Sequence, residues 1–335
     1  MKKLKEEVLL KKFSGNKVPL IAFIELTNNC DLNCIHCFRT KKPVFNLPEK
    51  LLKELLSQLS VLGTLNVTFT GGEPFLYKGL FESVSYARRK GLNVKISTSG
   101  TAIKKTDIRS LKSLAPITIQ ASIYGSTAAI HDAITRTNGS YRKTLSTLKL
   151  LSSAGISVKT NMIVMKKNFF QLERAKKMAH REGWAFSSDF IIYPGDNGSN
   201  GPLQNRITNI QIKTAYAKKL IENKNFVETP GQNDIINCKR DLATISCRIS
   251  PRGKVFPSGT SRLEIGDLKK SGFRDIWFGS RQADSLRNLK YSDFECSACG
   301  SFRKCLWDTG LALAEHGSIT ATPKEWCRFI KKGVL

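Results

Sequence analysis

The chain has 335 residues, 41% of them apolar and 24% charged, with a formal net charge of +27. These proportions exclude a disordered or fibrous chain, and the length accommodates one large barrel or two ordinary domains. No apolar run reaches the length of a membrane span. Residues 1–13 carry acidic side chains and too short an apolar stretch for a signal peptide, which points to a cytoplasmic chain with no membrane partner.

Residues 18–27, VPLIAFIELT, read as a buried strand that ends at the first cysteine. A helix follows from Pro48, its leucines recurring at 51, 52, 55, 56, 59 and 62, with Gly63 just past its end. Strand patterns then recur at 65–70, 93–98, 116–123, 157–165 and 185–193, and helical patterns at 79–90, 105–114, 140–153 and 169–182. Six strand–helix units imply a parallel sheet with right-handed crossovers, closed into an open, partial barrel whose ligands sit at the carboxyl ends of the strands. The loop at 193–205 breaks the rhythm, a helix near 208–223 follows, and from Gly231 onward the chain is richer in cysteines and turns. The expected division is an extension at 1–17, a barrel at 18–228 and a second domain at 229–335.

In a reducing compartment nine cysteines point to metal ligands or reactive thiols rather than disulfides. Cys30, Cys34 and Cys37 fall within eight residues, in TNNCDLNCIHCFRT. A sealed structural metal site takes four protein ligands. Three thiolates on a [4Fe–4S] cluster instead leave one iron open to a substrate or cofactor. The alternative is a zinc knuckle completed by His36 or a distant cysteine.

Cys-x3-Cys-x2-Cys after the first strand of a βα barrel resembles the defining motif of the radical S-adenosylmethionine (radical SAM) enzymes. The resemblance implies that the open iron chelates the amino and carboxylate groups of SAM. One electron passed into the sulfonium then releases a 5′-deoxyadenosyl radical, which removes a hydrogen atom from substrate. Further features follow in order. Gly71, Gly72, Glu73 and Pro74, in TGGEP, end the second strand. Glycines there let the backbone approach a ligand, Glu73 is able to accept from an ammonium group, and by resemblance the motif holds the amino group of SAM. Ser97 and Ser99 after the third strand, Ser122 after the fourth and Asn161 on the fifth are further SAM-binding candidates; the alternative is that each only caps or turns a strand end. Residues 122–141 resemble the segment after the fourth strand in peptide-modifying members, with His131 either catalytic or structural at a helix start.

Cys296, Cys299, Cys305 and Cys327 form a second group, able to close an auxiliary [4Fe–4S] cluster or a zinc site. Behind such a barrel they resemble a SPASM domain, and residues 238–259 and 266–277 look like its opening and middle. Two cysteines of the full pattern are replaced by Ser258 and Thr309, which implies one auxiliary cluster and a reduced domain. The implied fold is α/β: a partial (βα)6 TIM-like radical SAM barrel with a small C-terminal SPASM/twitch-like iron–sulfur domain. Cys238 and Cys247 are left over. They are buried apolar residues, partial ligands of a second cluster, or thiols that return a hydrogen atom to a substrate radical, as a peptide epimerase requires.

SPASM-type members mostly modify ribosomally made peptides. That class ranks first here, whether by epimerisation or by thioether or carbon–carbon crosslinking. Radical dehydrogenation of a small molecule such as an aminosugar ranks second, and an RNA-binding iron–sulfur protein third, since RNA binding leaves the SAM motifs without a purpose. Of the charge, +20 lies in residues 1–230, either as a solvated surface or as a field for an acidic peptide substrate. Only about seventeen residues precede the first strand, too few for a leader-binding winged helix. The other expected partner is an electron donor such as flavodoxin or ferredoxin.

Overall fold

The computed structural model describes residues 15–217, 242–300 and 308–331. Along the chain, β1 (Ile21–Thr27) leads to α1 (Glu49–Leu62), β2 (Asn66–Gly71), α2 (Leu80–Arg89), β3 (Asn93–Thr98), α3 (Lys105–Ser113) and β4 (Ile117–Ser122). Then come α4 (Ala128–Thr135), α5 (Ser140–Ser153), β5 (Ser157–Ile163), α6 (Leu172–Arg181) and β6 (Ala185–Asp189). Each of the six strands pairs in parallel with the next.

Alternation decides which face of each strand meets the helices. On β1, Ala22, Ile24 and Leu26 are fully buried and share one core with Leu52, Leu55, Leu56 and Leu59 of α1. Burying one such leucine contributes about 1.5–3 kcal/mol, so this stripe fixes the register of α1 on the sheet. Gly63 stops α1 in a left-handed conformation, φ 90°, with its N–H on the carbonyls of Leu59 and Ser60. The intervening residues of β1, among them Glu25, are left for the opposite face.

The sixth strand is shorter than its sequence pattern. It ends at Asp189, whose Oδ1 accepts from the Ile191 N–H at 2.9 Å and turns the chain. Phe190 and Ile191 then pack into a second apolar cluster with Phe169 and Phe329.

Beyond α7 (Asn209–Ala217), three strands extend the same sheet: β7 (Ser246–Ile249), β8 (Lys254–Phe256) and β9 (Gly266–Asp267). The order is β6-β5-β4-β3-β2-β1-β7-β8-β9, with β7 parallel to β1 and β8 and β9 antiparallel. The sheet is therefore continuous across the division expected near residue 229. Helices α8 (Phe273–Gly279), α9 (Arg281–Arg287), α10 (Thr309–His316) and α11 (Lys324–Lys331) complete this SPASM/twitch-like region. Its Trp277 is fully buried and donates from Nε1 to the Lys17 carbonyl at 2.6 Å, tying α8 to the entry of β1. Among the described residues no helix is long and apolar enough to cross a membrane.

Candidate active site

The loop after β1 is shaped by its own asparagine. Asn28 Nδ2 donates to the carbonyls of Thr40, Lys41 and Pro43, and its Oδ1 accepts from the Phe45 N–H at 2.6 Å. One side chain thereby closes the base of the cysteine loop. The far side is held by the end of α4, where the carbonyls of Thr135 and Ile134 accept from Asn33 and Ile35 at 3.0 and 2.9 Å. Asn205 Nδ2 adds a bond to the Ile35 carbonyl.

So held, Cys30, Cys34 and Cys37 border one cleft of about 330 Å³ at the carboxyl ends of the strands. Gly71, Gly72, Ser97, Ser99, Ser122 and Asn161, from four different strand ends, line the same cleft. The glycines serve a tighter purpose than approach to a ligand. A Cβ on Gly72 would stand 2.6 Å from the Asn29 carbonyl carbon and closer still to its oxygen, and one on Gly71, φ 136°, would strike the Thr27 carbonyl. Two short bonds, Gly72 N to Thr27 O and Glu73 N to Asn29 O, both 2.7 Å, lock this turn onto the root of the cysteine loop.

Glu73 corrects an expectation. It is fully buried, and its carboxylate is filled from within the chain. Oε1 accepts from Phe75 N and Thr98 Oγ1, and Oε2 from the backbone N–H and hydroxyl of Ser99. Four donors use the sites that an ammonium group would need. Burial still outweighs them and raises the carboxyl above its usual range. Glu73 thus positions Ser99, which does line the cleft, and Pro74 is likewise buried outside it.

Burial also pushes the Cys30 thiol up to about 11 and the Cys34 thiol to about 12, with Cys37 and Cys30 adding to the latter. Thiols raised so far ionise at neutral pH only beside a cationic partner. Among the described residues no three His, Cys, Asp or Glu side chains crowd closely enough to share one metal ion. A cubane takes one thiolate per iron, and so fits three thiols spread around a cleft. Two buried polar atoms on cleft-lining side chains, His36 Nδ1 and Arg39 Nε, have no hydrogen-bond partner among the described residues. Burial lowers His36 to about 4, so its ring enters the cleft neutral. The donor set and these orphaned atoms together fit a cluster with a polar co-substrate.

Beneath the loop, Glu25 bridges Arg39 at 2.8 Å and Arg248 of β7 at 3.3 Å. Burial presses its carboxyl upward, but the two guanidinium groups outweigh that and hold it below the usual range. Sequence reasoning passed over Arg39, Gln120, Tyr124, Asp189 and Tyr193, which all line the cleft. Gln120 was recoverable, since it shares the face of Ser122 two residues away. His131 is structural: it is 1% exposed, and its Nδ1 accepts from the Tyr124 N–H at 3.2 Å.

Cys247 corrects a second expectation. It pairs in register with Ala22 and is fully buried in the helix-side core, while its neighbour Arg248 points the other way, to Glu25. A hydrogen donor must face the cleft, so Cys247 is on the wrong side of the sheet. Cys238 and Cys305 lie outside the described residues. Cys299 N donates to Cys296 O at 2.9 Å, shaping that turn, and Cys327 sits on α11. Where the full SPASM pattern has cysteines, Ser258 accepts from the Ser261 N–H and Thr309 begins α10. Beside them Asp308 caps α10 and accepts from Thr260 and from Tyr193 of the cleft.

Residues 24–179 match the Radical SAM superfamily. Mycofactocin maturase MftC of Mycobacterium ulcerans (strain Agy99) is 30% identical over 318 residues, spanning 89% of this chain and 85% of that protein. AdoMet-dependent heme synthase of Methanosarcina barkeri (strain Fusaro / DSM 804) is 26% identical over 333 residues, spanning 90% of this chain and 94% of that protein. Streptococcus suis SuiB bound to precursor peptide SuiA shares the fold, with a TM-score of 0.72 at 16% identity, over 97% of this chain and 80% of that one.

Proposed function

Because the chain belongs to the radical SAM superfamily, we propose that its cleft cleaves SAM reductively and removes hydrogen from a ribosomally synthesised peptide. The observation that carries this is the meeting of Cys30, Cys34 and Cys37 with Gly71, Gly72, Ser97, Ser99, Ser122 and Asn161 around one cleft. Bound by the three thiolates, a [4Fe–4S] cluster supplies one low-potential electron and an open coordination site. The chain's own residues do the rest. The Gly71–Gly72 turn fixes the root of the loop that presents the thiols, Glu73 orients Ser99, and Ser122 and Asn161 offer polar contacts to the co-substrate. Tyr124, Ile191 and Ile192 line the cleft with apolar surface, which keeps water from a reactive intermediate.

Replacing Cys30, Cys34 and Cys37 together by alanine tests the assignment. Formation of 5′-deoxyadenosine from reduced enzyme and SAM should vanish, and undiminished formation would sink it. The same variant should retain about four irons per chain if Cys296, Cys299, Cys305 and Cys327 hold an auxiliary cubane. Zinc in its place would refute that part.

The peptide substrate rests on the maturase relative and on the basic charge, which suits an acidic precursor. The near full-length match to a heme synthase favours a second reading, a compact non-peptide substrate oxidised by the same chemistry. A product lighter by two hydrogens marks oxidation. Solvent deuterium at one Cα with no change in oxidation level marks epimerisation, and then Cys238 rather than Cys247 is the candidate donor.

A further inference from the structure

Cys34 and Cys37 border a second opening. A separate cavity of about 560 Å³ meets the same loop and is bounded across from it by residues of the 195–205 segment. None of Gly71, Gly72, Ser97, Ser99, Ser122 or Asn161 reaches it, so its contents would touch the thiols without meeting the co-substrate's cradle. Among the described residues three cations line it, Arg39 (already paired with Glu25), Arg136 and Lys167, and no carboxylate does.

Two of these cations are exposed yet well anchored. Arg136 ends α4 in a left-handed conformation, φ 53°, next to the two carbonyls that hold Asn33 and Ile35 of the cysteine loop. Lys167 follows Lys166, whose N–H donates to Asn205 O at 3.0 Å and whose carbonyl accepts from Gln211 Nε2 at 3.1 Å. Large apolar side chains stand in the same segments: Phe170, three residues past Lys167, and Ile210, next to Gln211, are each 77% exposed. Exposed cations with exposed aromatic and aliphatic residues in the same segments are the composition of a protein-docking surface rather than of a solvated lysine face.

Building on the proposed function, the geometry points to this cavity and its rim as the docking site of an acidic one-electron donor protein of the flavodoxin class. A substrate peptide has to reach the co-substrate in the first cleft. A reductant has only to come close to the thiol-bound cluster, and this opening reaches Cys34 and Cys37 away from the strand-end residues of the first cleft. The step balances simply: the flavin hydroquinone gives up one electron and becomes the semiquinone, the oxidised cluster takes that electron, and no bond is made or broken between the two proteins. Arg136 and Lys167 attract and orient the donor, and they play no part in SAM cleavage.

The test neutralises both cations, as R136Q/K167Q, in the reconstituted enzyme. A second double variant, K104Q/R142Q, changes a basic groove between α3 and α5 as a control. Flavodoxin hydroquinone, and separately dithionite, would be mixed with each protein while the cluster absorbance is followed. Binding of oxidised flavodoxin would be measured by biolayer interferometry across a salt series.

R136Q/K167Q should slow reduction by flavodoxin about tenfold, within the range set by electrostatic steering, and should flatten its salt dependence. Its 5′-deoxyadenosine formation with dithionite should match wild type, and K104Q/R142Q should match wild type in every assay. Equal slowing with both reductants would mean damage to the cluster, and would overturn the proposal. So would unchanged flavodoxin kinetics, equal slowing in the control variant, or a loss of peptide binding in place of flavodoxin binding. A wild-type enzyme that makes no 5′-deoxyadenosine with dithionite would instead refute the proposed function, and so be told apart.

Discussion

Gly72→Ala is the sharpest perturbation of the site, because the added methyl meets only backbone. It would stand 2.6 Å from the Asn29 carbonyl carbon and 2.8 Å from the Asn28 carbonyl oxygen, atoms that no rotamer can move. Relief to ordinary contact, about 3.5 Å, separates the turn from the loop root by roughly 1 Å. That movement gives up the two 2.7 Å bonds of Gly72 and Glu73 to Thr27 and Asn29. Each is worth about 1 kcal/mol net, and overpacking adds about 1–3 kcal/mol, so the variant should lose about 3–5 kcal/mol. Cys30 follows Asn29 directly, and a misplacement on the order of 1 Å costs about a hundredfold in rate. Gly91→Ala separates sterics from conformation: Gly91 has φ 78° but nothing within 4 Å of its Cβ position. It should lose only about 1 kcal/mol, the cost of a left-handed alanine, with full activity. Urea titration and dithionite-driven 5′-deoxyadenosine formation read both effects. Should Gly72→Ala behave like Gly91→Ala in both assays, the lock between turn and loop does not exist.

Two further outcomes follow from buried charge. His131 is held neutral, with burial lowering its pKa to about 4, so the unfolded chain binds the extra proton between about pH 6.5 and 4. Its contribution is complete above that window and is lost as pH falls, amounting to about 2 kcal/mol between roughly pH 7 and 5. His131→Asn should lessen the acid sensitivity of the urea midpoint by that amount; an unaltered pH profile would contradict the neutral assignment. Glu25→Gln leaves Arg39 and Arg248 without their shared carboxylate, in a site where the carboxylate side chain is 6% exposed. Breaking such a pair should cost about 3–5 kcal/mol, and a variant as stable as wild type in calorimetry would show the pair to be dispensable.

The barrel was legible because its signals are local. The strands at 93–98 and 66–71, and the helix at 140–153, repeat apolar residues with periods that only one backbone geometry satisfies. β7 was not legible as a neighbour of β1. Four residues, Ser246–Ile249, pair with Ile21–Ile24 across more than two hundred positions, and nothing in either segment names the other. In the site, the residues singled out by the cysteine spacing and the strand-end rule meet around one cleft. The role of Glu73 was out of reach, since the donors that fill it come from Phe75, Thr98 and Ser99, and only their folded positions show that they converge. Asp189 was missed because its strand was drawn four residues too long, past the turn that its own carboxylate makes.

The pairing of β7 with β1 has a bearing on synthesis in the cell. The strand that covers the outer edge of β1 is made more than two hundred residues after it. At the usual rate of about 5–20 residues per second, that edge waits on the order of ten to forty seconds with its backbone donors and acceptors unpaired. It carries Ile21–Ile24 and leads directly into Cys30, Cys34 and Cys37, so the vulnerable interval of the nascent chain coincides with the stretch proposed to hold the cluster. An unpaired apolar edge templates association with other chains. Chaperone demand and poor yield on overexpression are therefore expected to arise from this seam, and to ease when translation through residues 66–246 is faster or the temperature is lower.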